Sequence, residues 1–216
     1  MGIRIVLADG HRMVRDALKF LLGQEAGILV VGMAENGKAA VQLAKTLRPD
    51  VVVMDVAMPE LNGADATRAI MSEAPGVRVI GLSASHGKRS AIRMLGAGAS
   101  GHLLKDCAPE ELVQAIRTVA SGHRHLSHEV LKWVADDYAR GSSEKDPAFS
   151  SMTPREREVL QLVAEGKSTR EIASGLHVSI KTVETFRSHI MKKLDLHNVA
   201  DLTKYAIMEG LTSVDT

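Results

Sequence analysis

Cysteine is almost missing from this chain: only Cys107 among 216 residues. No internal disulfide can form, which agrees with a reducing compartment, and Cys107 reads as a small packed residue rather than a nucleophile. Excess charge is missing as well. A formal net charge of +1 excludes a uniformly basic coat for nucleic acid. No apolar run reaches the roughly 20 residues that a bilayer span needs, and no basic, apolar and small-residue leader pattern opens the chain. These absences predict a cytoplasmic protein with no membrane partner. What remains is a composition that is 45% apolar and 25% charged, with a length that suits two small domains.

Two periodicities alternate through the first 122 residues. Strand-like runs occur at 3–8, 28–34, 51–54, 77–82 and 101–104, and helix-period segments fill the gaps. Pro109 at a helix start and glycines at joints such as Gly76 and Gly98 punctuate the pattern. Five β/α units predict an α/β, doubly wound, five-stranded parallel sheet over residues 1–122. Residues 123–150 read as a linker with one helix at 129–139, and 140–147 have flexible-linker composition. From residue 151 to 216 every periodic segment is helical, which predicts a small all-α domain.

Asp55 closes the run Val51-Val52-Val53-Met54 and opens into a turn-rich loop with Pro59 and Gly63. In open α/β sheets the ligand crevice lies outside the carboxyl ends of the strands, so Asp55 is expected there. Asp9 ends the first strand, Ser83 the fourth and Lys105 the fifth. Two converging carboxylates need a cation, and a hard ion such as Mg²⁺ suits them. A carboxylate nucleophile can accept a phosphoryl group, and Ser83 offers a hydroxyl to its oxygens.

The second domain opens on Thr153-Pro154-Arg155-Glu156, a capped helix start. It continues through Lys167-Ser168-Thr169-Arg170-Glu171 and Val178-Ser179-Ile180-Lys181-Thr182-Val183-Glu184-Thr185-Phe186-Arg187-Ser188-His189-Ile190. Helical spacing turns Val183, Phe186, Ile190 and Leu194 inward and Lys181, Glu184, Thr185, Ser188 and Lys192 outward. Residues 178–194 hold four basic side chains against one Glu, a local +3 hidden by the neutral total.

These residues carry a resemblance over nearly the whole chain. Residues 1–122 resemble the receiver domain of two-component response regulators, and the tail resembles the LuxR-type helix-turn-helix, the NarL/FixJ class. The resemblance implies that Asp55 accepts phosphate from a sensor histidine kinase, Asp9, Asp55 and the Ala57 carbonyl hold Mg²⁺, Lys105 clamps the phosphate, and Ser83 and His102 form the switch. It implies that Glu184, Thr185 and Ser188 touch base edges of double-stranded promoter DNA. Lys181, Thr182, Arg187, His189, Lys192 and Lys193, with Thr169 and Arg170, would grip phosphates. So modest a charge predicts weak, salt-sensitive binding by one copy, hence a homodimer on paired half-sites.

Two positions depart from the family. Gly10 stands where a second metal-binding acid is usual, which predicts weakly bound Mg²⁺ and raises the alternative of a phosphorylation-independent DNA-binding regulator. His102 replaces the usual switch aromatic with a titratable ring. An aspartyl-phosphate hydrolase on a similar sheet needs an acid where Ala57 stands, so no enzyme is expected. Gly96 to Gly101 match a dinucleotide fingerprint in the wrong context, a helix-to-strand joint. His123, His125 and His128 with Glu129 read as linker residues rather than metal ligands, and Met54 and Met191 as core filler. In the last helix, Leu202, Tyr205, Ala206 and Leu211 either pair DNA-bound domains or pack on their own core.

Overall fold

Val51, Val52, Val53 and Met54 are at most 1% exposed. A strand covered by helices on both faces buries every side chain, so it reads as a continuous apolar run. In the computed structural model, which describes residues 2–84, 88–139 and 147–212, this run is the third strand of a parallel sheet. The elements follow as β1 (Ile3–Ala8), α1 (Arg12–Gly23), β2 (Ile28–Ala34), α2 (Gly37–Leu47), β3 (Val51–Asp55), α3 (Gly63–Glu73), β4 (Arg78–Ser83), α4 (Lys88–Gly96), β5 (Gly101–Leu104), α5 (Pro109–Ala120), β6 (His125–Leu126) and α6 (His128–Ala139). The strand order is β2-β1-β3-β4-β5-β6.

The sheet therefore has six strands, not five. β6 pairs with β5 through Gly101–His125 and His102–Leu126, in residues the sequence assigns to a linker. Two residues are too few to display the alternation that marks a strand. One compact unit runs from Met1 to Tyr138, so it includes β6 and all of α6 but its last residue; the other runs from Ala139 to Thr216. The stretch 140–146, read as flexible linker, lies outside the described residues.

Alternation along the strands builds two cores. Val6, Val52, Met54 and Val79 meet Ala40 and Val41 of α2, Ile70 of α3 and Met94 of α4 on one face. Ile5, Leu7, Val53, Ile80 and Leu103 meet Leu22 of α1 with Leu112 and Ile116 of α5 on the other. Each fully buried Val, Leu or Ile contributes roughly 1.5–3 kcal/mol of transfer free energy. The order reverses direction between β1 and β3, and this switch point sets the crevice at their carboxyl ends.

The loop after β3 is held tightly. The Gly63 N–H donates to the Val56 carbonyl at 2.9 Å, and a Cβ on Gly63 would collide with the Asp55 carbonyl oxygen. Asn62 caps α3, its side chain accepting from the Asp65 N–H. Only glycine permits this approach, which fixes where Asp55 leaves the strand.

The second unit is helical: α7 (Pro147–Ser150), α8 (Pro154–Ala164), α9 (Thr169–Gly175), α10 (Ile180–Leu194) and α11 (Val199–Met208). Capping boxes start α8, from Thr153 and Glu156, and α9, from Ser168 and Glu171. Its core gathers Leu160, Val183, Ile190, Leu202, Ala206 and Leu211. Leu202, Ala206 and Leu211 are thus committed to their own core, and the ring of Tyr205 lies 6.3 Å from that of Phe149. Among the described residues no helix is long and apolar enough to cross a membrane.

Candidate functional site

Asp9 lies one residue beyond β1, Asp55 is the last residue of β3, Ser83 the last of β4, and Lys105 follows β5. Asp9, Asp55 and Ser83 are 2%, 3% and 4% exposed. The Lys105 ammonium reaches between the acids, donating to Asp9 Oδ2 at 2.6 Å and standing 2.9 Å from Asp55 Oδ2. Its backbone N–H donates to the Ser83 carbonyl, so the β4 and β5 ends are locked together. The Ala57 N–H donates to Asp55 Oδ1 at 3.3 Å.

Burial pushes the Asp55 carboxyl up; the Lys105 charge opposes this and the Asp9 charge adds to it, leaving a carboxyl above the usual range. Burial alone would lower the Lys105 ammonium, but the charge of Asp55 and the hydrogen bonds to both acids outweigh it and raise its pKa. The ammonium stays charged while it neutralises the acids. A phosphoryl group entering here would find a carboxylate nucleophile, a cation for its oxygens and a hydroxyl on the adjoining strand.

His102, the second residue of β5, lies beneath the crevice edge rather than in contact with its charged groups. It is fully buried beside its strand partner Gly81, and neither ring nitrogen has a hydrogen-bond partner. Burial drives its pKa down from 6.5 to about 4.

A second functional surface is carried by α10. Lys181, Glu184, Thr185, Ser188, His189 and Lys192 are exposed while Val183 and Ile190 are buried. Ser179 caps the helix by accepting from the Thr182 N–H, and its hydroxyl also bonds that of Thr182 at 2.8 Å. The Arg187 guanidinium donates to Thr169 Oγ1 at 3.2 Å, joining α10 to α9. Lys193 is employed within the fold: its ammonium bonds Glu156 at 2.8 Å and the Ser151 carbonyl at 3.2 Å. Burial pushes the Glu156 carboxyl up, but hydrogen bonding to Lys193 and Thr153 holds it below the usual range.

Residues 5–117 match the response regulator receiver domain family, and residues 150–206 match the luxR family of bacterial regulatory proteins. The chain belongs to the response regulators. Response regulator UvrY of Escherichia coli (strain K12) is 35% identical over 214 residues, covering 99% of this chain and 98% of that protein. Transcriptional regulatory protein MctR of Rhizobium johnstonii is 36% identical over 211 residues, covering 98% and 96%. RcsB from Salmonella enterica serovar Typhimurium, solved bound to promoter rprA, matches with a TM-score of 0.63 at 26% identity over 95% of this chain and 98% of that one. This response regulator joins a receiver domain to a LuxR-type DNA-binding domain, and its relatives are transcriptional regulators.

In the regulator's crevice the structure brings Asp9, Asp55 and Lys105 into direct contact, with Ser83 and Ala57 on neighbouring backbone. Sequence reasoning missed His11. Its backbone N–H donates to Asp9 Oδ1 at 2.8 Å and its Nδ1 lies 3.3 Å from the same oxygen. The available signal was a histidine immediately after the glycine that replaces the expected acid. A Cβ on that glycine, Gly10, would stand 3.1 Å from Pro59 Cδ, so the proline fills space next to a missing side chain.

Proposed function

We propose that this response regulator is a cytoplasmic transcription factor, not an enzyme, switched by phosphoryl transfer from a sensor histidine kinase onto Asp55. The observation that carries the reading is the buried Asp9–Lys105–Asp55 constellation at the sheet's switch point, in a chain that also presents α10. An Asp55 carboxylate oxygen attacks the phosphorus of a phosphohistidine. The P–N bond breaks with its electron pair going to the imidazole, which leaves neutral because its other ring nitrogen already carries a proton, and an acyl phosphate remains on Asp55. Lys105 then exchanges a carboxylate oxygen for a phosphoryl oxygen, and Ser83 donates its hydroxyl to another. The oxygen-rich set of two buried carboxylates and the Ala57 carbonyl suits Mg²⁺, weakly held because Gly10 supplies no carboxylate. When bound, Mg²⁺ would supply further positive charge for the phosphoryl oxygens.

The intact crevice gives no support to a phosphorylation-independent regulator, and one experiment separates the two. Intact mass after incubation with acetyl phosphate and Mg²⁺ is expected to show one phosphate adduct, absent from Asp55→Ala. An unmodified wild-type protein that still binds promoter DNA would overturn the reading.

For DNA, Glu184, Thr185 and Ser188 face base edges in the major groove, while Lys181, Thr182, His189, Lys192 and Arg170 flank them toward phosphates. The Thr169–Arg187 bond makes these two a positioning pair whose free donors reach the backbone, and Lys193 contributes only by leaving Glu156. Pairing of two copies on paired half-sites raises affinity. Lys181→Ala is expected to weaken binding alike on all sequences and to reduce the salt slope by about 1. Fluorescence anisotropy across a salt series checks this; a sequence-dependent loss would instead make Lys181 a base reader.

A further inference from the structure

We propose that His11 is a metal ligand of the receiver crevice, so that Asp9, His11 and Asp55 form a mixed nitrogen and oxygen site for a first-row transition cation. The inference rests on reading this crevice as a cation site, and it changes the ion the site prefers.

His11 occupies the N-cap position of α1 with extended backbone, yet its side chain makes no capping bond. The ring is instead folded back over Asp9, although its side chain is 57% exposed and has solvent available to it. One ring nitrogen of His11 and one carboxylate oxygen from each of Asp9 and Asp55 lie within 4.8 Å of one another. Bond lengths near 2.1 Å put two ligands of one ion at most about 4.2 Å apart, so closure of a few tenths of an ångström assembles the site. The exposed, uncapped His11 side chain is the group free to supply it.

The placement of Lys105 leaves room. Its ammonium takes Oδ2 of Asp9 and faces Oδ2 of Asp55, whereas Oδ1 of Asp9 is turned toward His11. Gly10 offers no competing carboxylate, and a side chain there would stand 3.1 Å from Pro59 Cδ, so the proline ring would have to give slightly to admit one. The imidazole therefore stands in for the missing acid. Carboxylates alone suit Mg²⁺, but an imidazole in the set favours Co²⁺, Ni²⁺ or Zn²⁺, in the order of intrinsic divalent affinities, with Mn²⁺ intermediate.

The test uses the full chain with Mg²⁺, Mn²⁺ and Co²⁺ titrated by calorimetry. In parallel, Mn²⁺ is added while imidazole nitrogen–proton correlations are followed by NMR. Wild type is expected to bind Co²⁺ about tenfold or more tighter than Mg²⁺, and His11→Ala to lose that advantage while Mg²⁺ affinity stays within about twofold. Substoichiometric Mn²⁺ should broaden the His11 ring resonances first. Equal Co²⁺ affinity in His11→Ala, or His11 resonances untouched by Mn²⁺, would overturn the proposal while leaving a carboxylate cation site in place. Cation binding that survives Asp9→Asn and Asp55→Asn together would remove the cation site itself.

Discussion

Replacing Lys105 with methionine is expected to destabilise the receiver unit by about 3–5 kcal/mol in chelator-treated buffer, the usual cost of removing one partner from a buried ion pair. The ammonium lies 2.6 Å from Asp9 and 2.9 Å from Asp55, both almost fully buried. Without it two carboxylates face each other with no charge between them, and either a proton or an external cation must enter. The loss corresponds to a Tm lower by roughly 10–15 °C for a unit of this size. Divalent cations are then expected to stabilise the variant more than they stabilise wild type, because they also take over the role of the ammonium; saturation at 100 times Kd restores about 2.7 kcal/mol. Thermal unfolding with chelator and with added Mg²⁺ or Mn²⁺ reads both effects. A variant that melts like wild type in chelator would mean that the triad holds nothing together.

The same triad shows what a sequence can and cannot reveal. Asp9, Asp55 and Lys105 are legible because a charge at the end of an apolar strand has one place to go, the crevice beyond the sheet edge. The strands are legible because parallel strands buried on both faces become runs such as Val51 to Met54. β6 and α7 escape because two and four residues carry no periodicity. Pairings across long separations escape for another reason. The family resemblance makes Lys193 a phosphate contact, but its partner Glu156 lies 37 residues earlier and is brought alongside only by the packing of α8. Arg187 likewise finds Thr169 through the α9–α10 turn. His11 is hidden by a local fold-back over two residues, which no hydrophobic pattern encodes. The position of His102 in the family marks it as a switch residue, but its full burial without polar partners comes from pairing beside Gly81 across β4 and β5, which periodicity does not bring to notice.

That burial leads to the second large effect: the receiver unit is expected to lose about 3 kcal/mol of stability between pH 6.5 and pH 4 through His102 alone. The ring has a pKa of about 4 in the fold and 6.5 when unfolded. Above 6.5 both states hold it neutral and its contribution is complete. As pH falls below 6.5 the unfolded chain takes up a proton that the folded chain refuses, so stability drops by about 1.4 kcal/mol per pH unit until the folded ring titrates too. Burial of the ring is the cause. His102→Phe removes the titration and also the two unpaired nitrogens, whose burial costs about 1–3 kcal/mol at any pH. The His102 ring is fully buried beside Gly81, so part of that gain is spent on the larger ring. The decisive quantity is therefore the slope and not the offset. Urea unfolding of both proteins from pH 7.5 to 4.5 isolates it, because carboxylates and the other histidines titrate alike in each. A difference curve that stays flat across that range would show that His102 leaves its pocket readily and is not held neutral there.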